Sequence, residues 1–305
     1  MTLSIAWVRQ SGTAHELVFA SDSRLSGGGN VDQCQKVFSL PREDCCIAFA
    51  GSTMIAYPFI LMLQNTIIDY KKAFDREVDL TKLKTRVLSL LNFFVRVHEG
   101  TIPTDFEHDL LQTSFLFGGW SWTNARFHIW RIFYKKDIGR YMASDIGTWR
   151  GLGIPKASEA SIRMVGDYIP EFQAALRAKL GPKIKVAKEI GGHMKLNYEP
   201  LTVLAEMLRD PKFTDRRQEL KGAIGGAPQV TKVYPFLRTV SFAVEWDVGP
   251  KFVYSIKGRV IADYELFTIP GLDPFTGEVK QPVRGRDHDE PPLSGSGSPW
   301  TTPDF

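Results

Sequence analysis

Thr2 stands directly behind the initiator methionine, at the head of the strand-like run MTLSIAWVRQ. Methionine aminopeptidases remove Met when the next residue is small, and the chain would then begin with a hydroxyl and a free α-amino group on one residue. An α-amine has a reference pKa of about 8, suited to a general base at neutral pH. A hydroxyl served by its own amine is one recognised way to activate threonine as a nucleophile. Such a site asks for a cation to keep the amine neutral, a carboxylate to hold that cation, and backbone N–H donors for an oxyanion. The chain offers Lys36 in QKVFSL, Asp22 in FASDSR and Gly51 in AFAGST, where the missing side chain lets backbone come close to a substrate.

These residues need strands to bring them together, and short apolar runs separated by polar, Gly-containing turns supply them over 3–9, 16–21, 36–40 and 45–51. Asp22, Lys36 and Gly51 each fall at a strand end. Helical spacing follows over 57–74, with Phe59, Leu63, Ile67 and Tyr70 on one face, and over 80–98, with Leu83, Val87, Leu90, Leu91 and Phe94 recurring. Strand patterns return in SFLFGGW, RFHIWRIFY and GRYMAS, helical patterns over 157–168, 171–180 and 198–209, and strands over 229–234, 239–246 and 252–256. Blocks of strands alternating with blocks of helices predict an α+β fold of two stacked antiparallel sheets with helices on both outer faces. One domain over 1–269 is expected, followed by a mobile tail over 270–305 that is rich in Pro, Gly and Ser and ends in an aromatic stretch with Trp300 and Phe305.

Composition narrows the function classes. The 305 residues carry a net charge of +4 from 38 basic and 34 acidic side chains, with no block of like charge to serve as a nucleic-acid arm. Cys34, Cys45 and Cys46 form an odd set suited to reduced thiols, and no signal-peptide pattern opens the chain, which points to a cytoplasmic protein without disulfides. The 24 residues from Cys45 to Ile68 lack a charge, but Gly51, Ser52, Thr53 and Pro58 interrupt them, so a strand, a turn and a helix are expected rather than a membrane span. The histidines His15, His98, His108, His128, His193 and His288 lack metal-ligand spacing, and GGGN at 27–30 and IGGAP at 224–228 lack phosphate-loop spacing, so no metal or cofactor is expected. Trp120, Trp122 and Trp130 in WSWTNARFHIW read as sheet and hairpin packing.

Taken in order, Thr2, FASDSR, the glycines 27–29, Lys36 and FAGS resemble the front half of a proteasome-type β-subunit, an N-terminal-nucleophile (Ntn) hydrolase of the family that includes bacterial HslV. The match is ordered over the first 70 residues, and the block order extends it to about residue 265. The resemblance implies a four-layer αββα sandwich with Thr2 as nucleophile, Lys36 as the cation beside the amine, Asp22 orienting Lys36, Arg24 bracing the turn and the Gly51 N–H as oxyanion donor. It also implies a first specificity pocket shaped by Leu25, Cys34, Phe49 and Thr53, with Phe49 at its base restricting it to small or medium apolar side chains. Two supports depart from the family pattern. Its Gly-Ser-Gly segment falls on Gly151-Leu152-Gly153, and its late Asp-x-x-Ser-Gly-Gly segment falls on KGAIGG, with Lys221 and Ile224 at the Asp and Ser positions. Ser144, Thr148 and Ser158 are candidate substitutes.

What the resemblance implies is a threonine peptidase acting on polypeptides, without a cofactor, in a ring or other homo-oligomer, with a possible ATP-dependent unfoldase partner. Two rivals stay open. One is an Ntn amidase acting on a small amide; the other is a catalytically silent subunit that builds an assembly or binds a partner, which Leu152, Lys221 and Ile224 would suit.

Overall fold

The computed structural model describes residues 2–12, 14–26, 30–98, 106–145, 162–189, 195–215, 224–236, 238–248, 251–262, 265 and 268–284. Strands β1 (Leu3–Ser11), β2 (Ala14–Ser21), β3 (Val37–Ser39) and β4 (Cys45–Ala50) come first. Helices α1 (Thr53–Asp69), α2 (Lys71–Phe74), α3 (Leu80–His98) and α4 (Phe106–Gln112) follow. The chain returns to strands with β5 (Ser114–Ser121), β6 (Arg126–Lys135), β7 (Arg140–Ser144) and β8 (Ile162–Gly166). Helices α5 (Ile169–Glu189), α6 (Glu199–Arg209) and α7 (Pro211–Thr214) precede β9 (Gln229–Val233), β10 (Val240–Val248) and β11 (Lys251–Ile256). The described strands end with β12 (Arg259–Val260), β13 (Thr268–Leu272) and β14 (Val279–Arg284).

The molecule is thus mixed α and β, with two sheets. One runs β12-β11-β10-β9-β2-β1-β8, with β13 beside the middle of β10 and β14 beside β13; the other runs β3-β4-β5-β6-β7. Pairing is antiparallel apart from the short parallel contact of β10 with β13. Side chains alternate between the faces of a strand, and here both faces are apolar. Leu3, Ile5 and Trp7 of β1 enter a cluster with Phe172 and Leu176 of α5 and Leu201 and Leu204 of α6, while Ala6 and Val8 enter another with Ala48, Leu116 and Ile129 of the second sheet. On the far side of β4, Ile47 and Phe49 pack with Phe59 of α1 and with Leu83, Val87 and Leu91 of α3. A strand that must bury both faces reads as a nearly continuous apolar run, which is how CCIAFA in β4 reads.

Several expectations change. The helical spacing of 57–74 resolves into α1, which starts at Thr53 with Pro58 inside it, and a separate turn α2 after the extended Tyr70. The helix expected over 157–168 is replaced over its described part by β8, which pairs with β1 from Leu3 opposite Gly166 to Trp7 opposite Ile162. Ile162 and Val165 sit three apart and fit a helical stripe, but they point to opposite faces of the sheet, into two different apolar clusters. The segment beginning at residue 270 also starts inside the fold, because β13 and β14 hydrogen-bond as a hairpin on β10; residues 285–305, with Trp300 and Phe305, lie outside the described residues. None of the described helices is long and apolar enough to cross a membrane.

Candidate active site

Thr2 lies at the head of β1, 2% exposed. Pairing of Ser4 with Ser21 carries the end of β2 past it, so Asp22 falls beside Leu3 and accepts from the Leu3 N–H at 3.1 Å. Lys36 comes from the other sheet, just ahead of β3. Its ammonium donates to Asp22 Oδ1 at 2.9 Å, to Asp22 Oδ2 at 3.0 Å and to Thr2 Oγ1 at 2.8 Å. Lys36 and Asp22 are both 0% exposed. An ammonium and a carboxylate survive such burial only when each is paired and hydrogen-bonded, and the Arg24 and Gly225 N–H groups, each 3.2 Å from Asp22 Oδ2, complete that requirement. Burial lowers the pKa of Lys36 from its ordinary value, and the charge and hydrogen bond of Asp22 offset part of that effect.

One buried amide joins the two strand ends. Gln229, at the start of β9, accepts from the Lys36 and Val37 N–H groups through Oε1 at 2.9 and 3.2 Å. Its Nε2 faces the carbonyls of Asp22 at 3.1 Å and Cys34 at 2.7 Å. Each backbone group tied in this way is one that burial would otherwise leave unsatisfied.

The second neighbour of β1 ends at the same place. β8 runs antiparallel to β1 and closes at Gly166, after which Asp167 donates its N–H to the Thr2 carbonyl at 2.7 Å and accepts from the Thr2 nitrogen through Oδ2 at 3.0 Å. Gly166 has φ +107°, and a β-carbon there would collide with the Thr2 carbonyl oxygen and touch the Ala50 side chain at 3.0 Å. Only glycine accepts both that backbone conformation and that approach. The same contact shows that the end of β4 abuts Thr2, and it leads directly into Gly51, which is exposed and has φ +111°. Thr2 is therefore flanked by an aspartate from each neighbouring strand, Asp22 and Asp167, with Lys36 across the gap between the sheets.

The other expected residues have varied placements. Arg24 grips Asp32 with Nε at 2.5 Å and Nη2 at 2.7 Å, donates to the Thr214 carbonyl at 2.8 Å, and packs against Gly225; it holds the turn after β2. Leu25 bridges to Val31 and, with Cys34 and Thr53, is half-buried. Burial is the main cause raising the Cys34 thiol pKa. Phe49 is 0% exposed, packed on Phe38 and Tyr57 with ring centroids 6.5 and 5.4 Å apart. It therefore seals the layer between sheet and helix, with no accessible surface of its own as a pocket base. Ile224 is likewise a core residue, 0% exposed; the KGAIGG stretch reaches Asp22 through the Gly225 amide instead of a side chain. Ser144 sits in β7 opposite Arg131. Gly151-Leu152-Gly153, Thr148, Ser158 and Lys221 lie outside the described residues.

Asp167, Gly166, Gln229 and Gly225 escaped the sequence reading. A signal for the first two exists: SIRMVGD ends in an aspartate after a short, mostly apolar run, as LVFASD does. Gln229 carries no such mark, because an isolated Gln at the head of a strand says nothing about which backbone groups it will meet.

No protein-family model matches the chain, and no curated protein matches it by sequence. Solved structures similar to it include Anbu (ancestral beta-subunit) from Yersinia bercovieri, 14% identical over 78% of this chain and 86% of that one, with a TM-score of 0.49. An Anbu mutant from Hyphomicrobium sp. strain MC1 is 15% identical over 79% of this chain and 87% of that one, with a TM-score of 0.48. Anbu is a proteasome-like relative but a distinct family, and this finding corrects the assignment to the proteasome-type β-subunit and HslV family.

Proposed function

We propose that the protein is an N-terminal-threonine hydrolase that cleaves amide bonds of polypeptides once Met1 has been removed. The observation that carries this reading is the 2.8 Å contact from Lys36 Nζ to Thr2 Oγ1, made by a fully buried lysine that Asp22 holds with both carboxylate oxygens. Loss of Met1 converts the peptide nitrogen of Thr2 into an amine on the same residue as the nucleophile. That amine takes the Oγ1 proton as Oγ1 attacks the substrate carbonyl, and Lys36 stabilises the oxygen that loses it. The Gly51 N–H, at the end of β4, is the donor for the carbonyl oxygen as it becomes an oxyanion. The amine then returns the proton to the departing nitrogen, leaving an ester on Oγ1 that water hydrolyses.

The three apolar clusters, one between sheet and α5–α6, one between the sheets and one between sheet and α1–α3, support reading the layers as a four-layer αββα sandwich. Half-buried Leu25, Cys34 and Thr53 are the pocket walls this reading assigns. A homo-oligomer is the proposed state, and exposed Met54, Leu61 and Ile68, spaced seven apart on α1, are compatible with it. Intact-mass measurement followed by treatment with a peptide epoxyketone tests the function. A chain lacking Met1 that gains one adduct on Thr2 and cleaves fluorogenic peptides is the expected result. An adduct without peptide cleavage would move the substrate to a small amide, and a Met1-free chain that gains no adduct would overturn the reading.

A further inference from the structure

The hydrolase mechanism above gives no task to Asp167, although its carboxylate is 3.0 Å from the nitrogen that must serve as base. In the full-length chain that nitrogen is a peptide N–H, a neutral donor. Once Met1 is gone it is an amine, and the same contact becomes one between a carboxylate and a group that can take a proton. We propose that Asp167 holds the Thr2 amine as an ammonium ion in the resting, Met1-free protein, and thereby sets the pH above which the amine becomes a base. The inference rests on the N-terminal-threonine reading and adds to it the control of its pH range.

The charged groups facing this nitrogen support the assignment. From the end of β2 comes Asp22, and from the approach to β3 comes Lys36; these two bind each other at 2.9 and 3.0 Å and together add little net charge. Arg24 is held by Asp32 at 2.5 and 2.7 Å. Cys34, two residues before Lys36, has its thiol pKa raised chiefly by burial, which favours the uncharged form. The end of β4 contributes Ala50 and Gly51, and the approach to β9 contributes Gly225, none of them charged. Among the described residues, Asp167, from the connection between β8 and α5, is the charged group in hydrogen-bond contact with this nitrogen. Among the described residues its carboxylate receives one hydrogen bond, from Thr2. An opposite charge at such range moves a pKa by about one to three units toward the charged form, upward from an amine reference of about 8.

The geometry also separates charge from support. The Asp167 N–H binds the Thr2 carbonyl at 2.7 Å through the backbone, so Asp167→Asn keeps that bond and retains a side-chain oxygen to accept from the nitrogen. Only the negative charge is lost.

The test uses full-chain protein from which Met1 has been removed, treated with a peptide epoxyketone across a pH series, with the Thr2 adduct quantified by mass spectrometry. For the wild type the rate should rise with pH to a midpoint above about 8. For Asp167→Asn the midpoint should fall by about one unit or more, with a neutral-pH rate roughly 10-fold higher than that of the wild type. Thr2 labelling in both proteins with coincident midpoints would overturn this inference and leave the hydrolase reading standing. Competitive acetylation of the Thr2 amine with acetic anhydride measures the same titration without catalysis. It serves if Asp167→Asn does not fold or if Thr2 takes no adduct at any pH, the outcome that overturns the hydrolase reading. A wild-type amine midpoint at or below about 8 would then overturn the role of Asp167 on its own.

Discussion

Two buried lysines, each beside a carboxylate, lie at opposite ends of β1 and β2, one reaching in from the second sheet and one on β9. Lys36 meets Asp22 and Thr2 where β1 begins. Lys232, 2% exposed on β9, lies 3.2 Å from Glu16, donates to the Tyr198 hydroxyl, and faces the Phe242 ring at 4.4 Å. Glu16 also holds Arg9 at 2.7 Å, and Arg9 stacks over Tyr198 at 4.2 Å. In both places burial is the main cause lowering the lysine pKa, and the neighbouring carboxylate opposes it. What differs is the third partner. Tyr198 is a phenol whose pKa burial pushes up to about 12, so it stays protonated at neutral pH, enclosed by cations and rings. Thr2 has an aliphatic hydroxyl on the residue whose nitrogen becomes an amine when Met1 leaves. A buried lysine and carboxylate are therefore not enough to mark a reactive centre; the hydroxyl beside them, and its access to a base, make the difference.

Substitutions can break this comparison. Lys36→Met leaves Asp22 buried without its cation, at a cost of about 3–5 kcal/mol, and epoxyketone labelling of Thr2 should slow by about 10²–10⁴-fold. Labelling at the wild-type rate would remove Lys36 from the chemistry. Gly166→Ala comes next: the collision with the Thr2 carbonyl and the left-handed backbone should cost about 1–3 kcal/mol in denaturant unfolding. Because the collision shifts the head of β1, and with it Thr2 Oγ1 away from Lys36, labelling at a pH above the amine midpoint should fall with it, and full labelling there would show that this close approach is not needed.

Lys232→Met should behave in the opposite way. Glu16 keeps Arg9, so the loss of stability should stay at about 1–2 kcal/mol and the rate of Thr2 labelling should not change. A labelling defect there would mean that the two lysines act as one system. The smallest effect is in pH dependence. Both lysines have a pKa below the ordinary 10.5, so just under that pH the unfolded chain holds protons that the folded chain has shed, and stability rises with pH. Lys232→Met should make that rise shallower in urea titrations just below pH 10.5; an unaltered slope would place its proton affinity at the ordinary value.

Local pattern placed much of the candidate site. Thr2, Asp22, Lys36 and Gly51 could be picked out because each is a distinctive residue at the end of a short apolar run, and strand ends are where neighbouring strands converge. Helix α3 was legible to the residue, because Leu83, Val87, Leu91 and Phe94 repeat along one face. The reading failed where one pattern suits two structures. Ile162 and Val165 satisfy helical spacing and also strand alternation when both faces of the strand are buried. Phe49 failed for a related reason: a large aromatic in a strand can line a cleft or seal a core, and the packing of Phe38 and Tyr57 determines which.

The sequence by itself thus picked out the candidate nucleophile and its first partners, because their chemistry is written in residue type and in position beside short-range strand signals. Only the tertiary structure decided what surrounds the nitrogen of Thr2. Asp167 meets it across 165 residues, and Gln229 ties Lys36 to Asp22 across 193. Contacts at that separation follow from which strands pair and which faces pack, and no local periodicity records them.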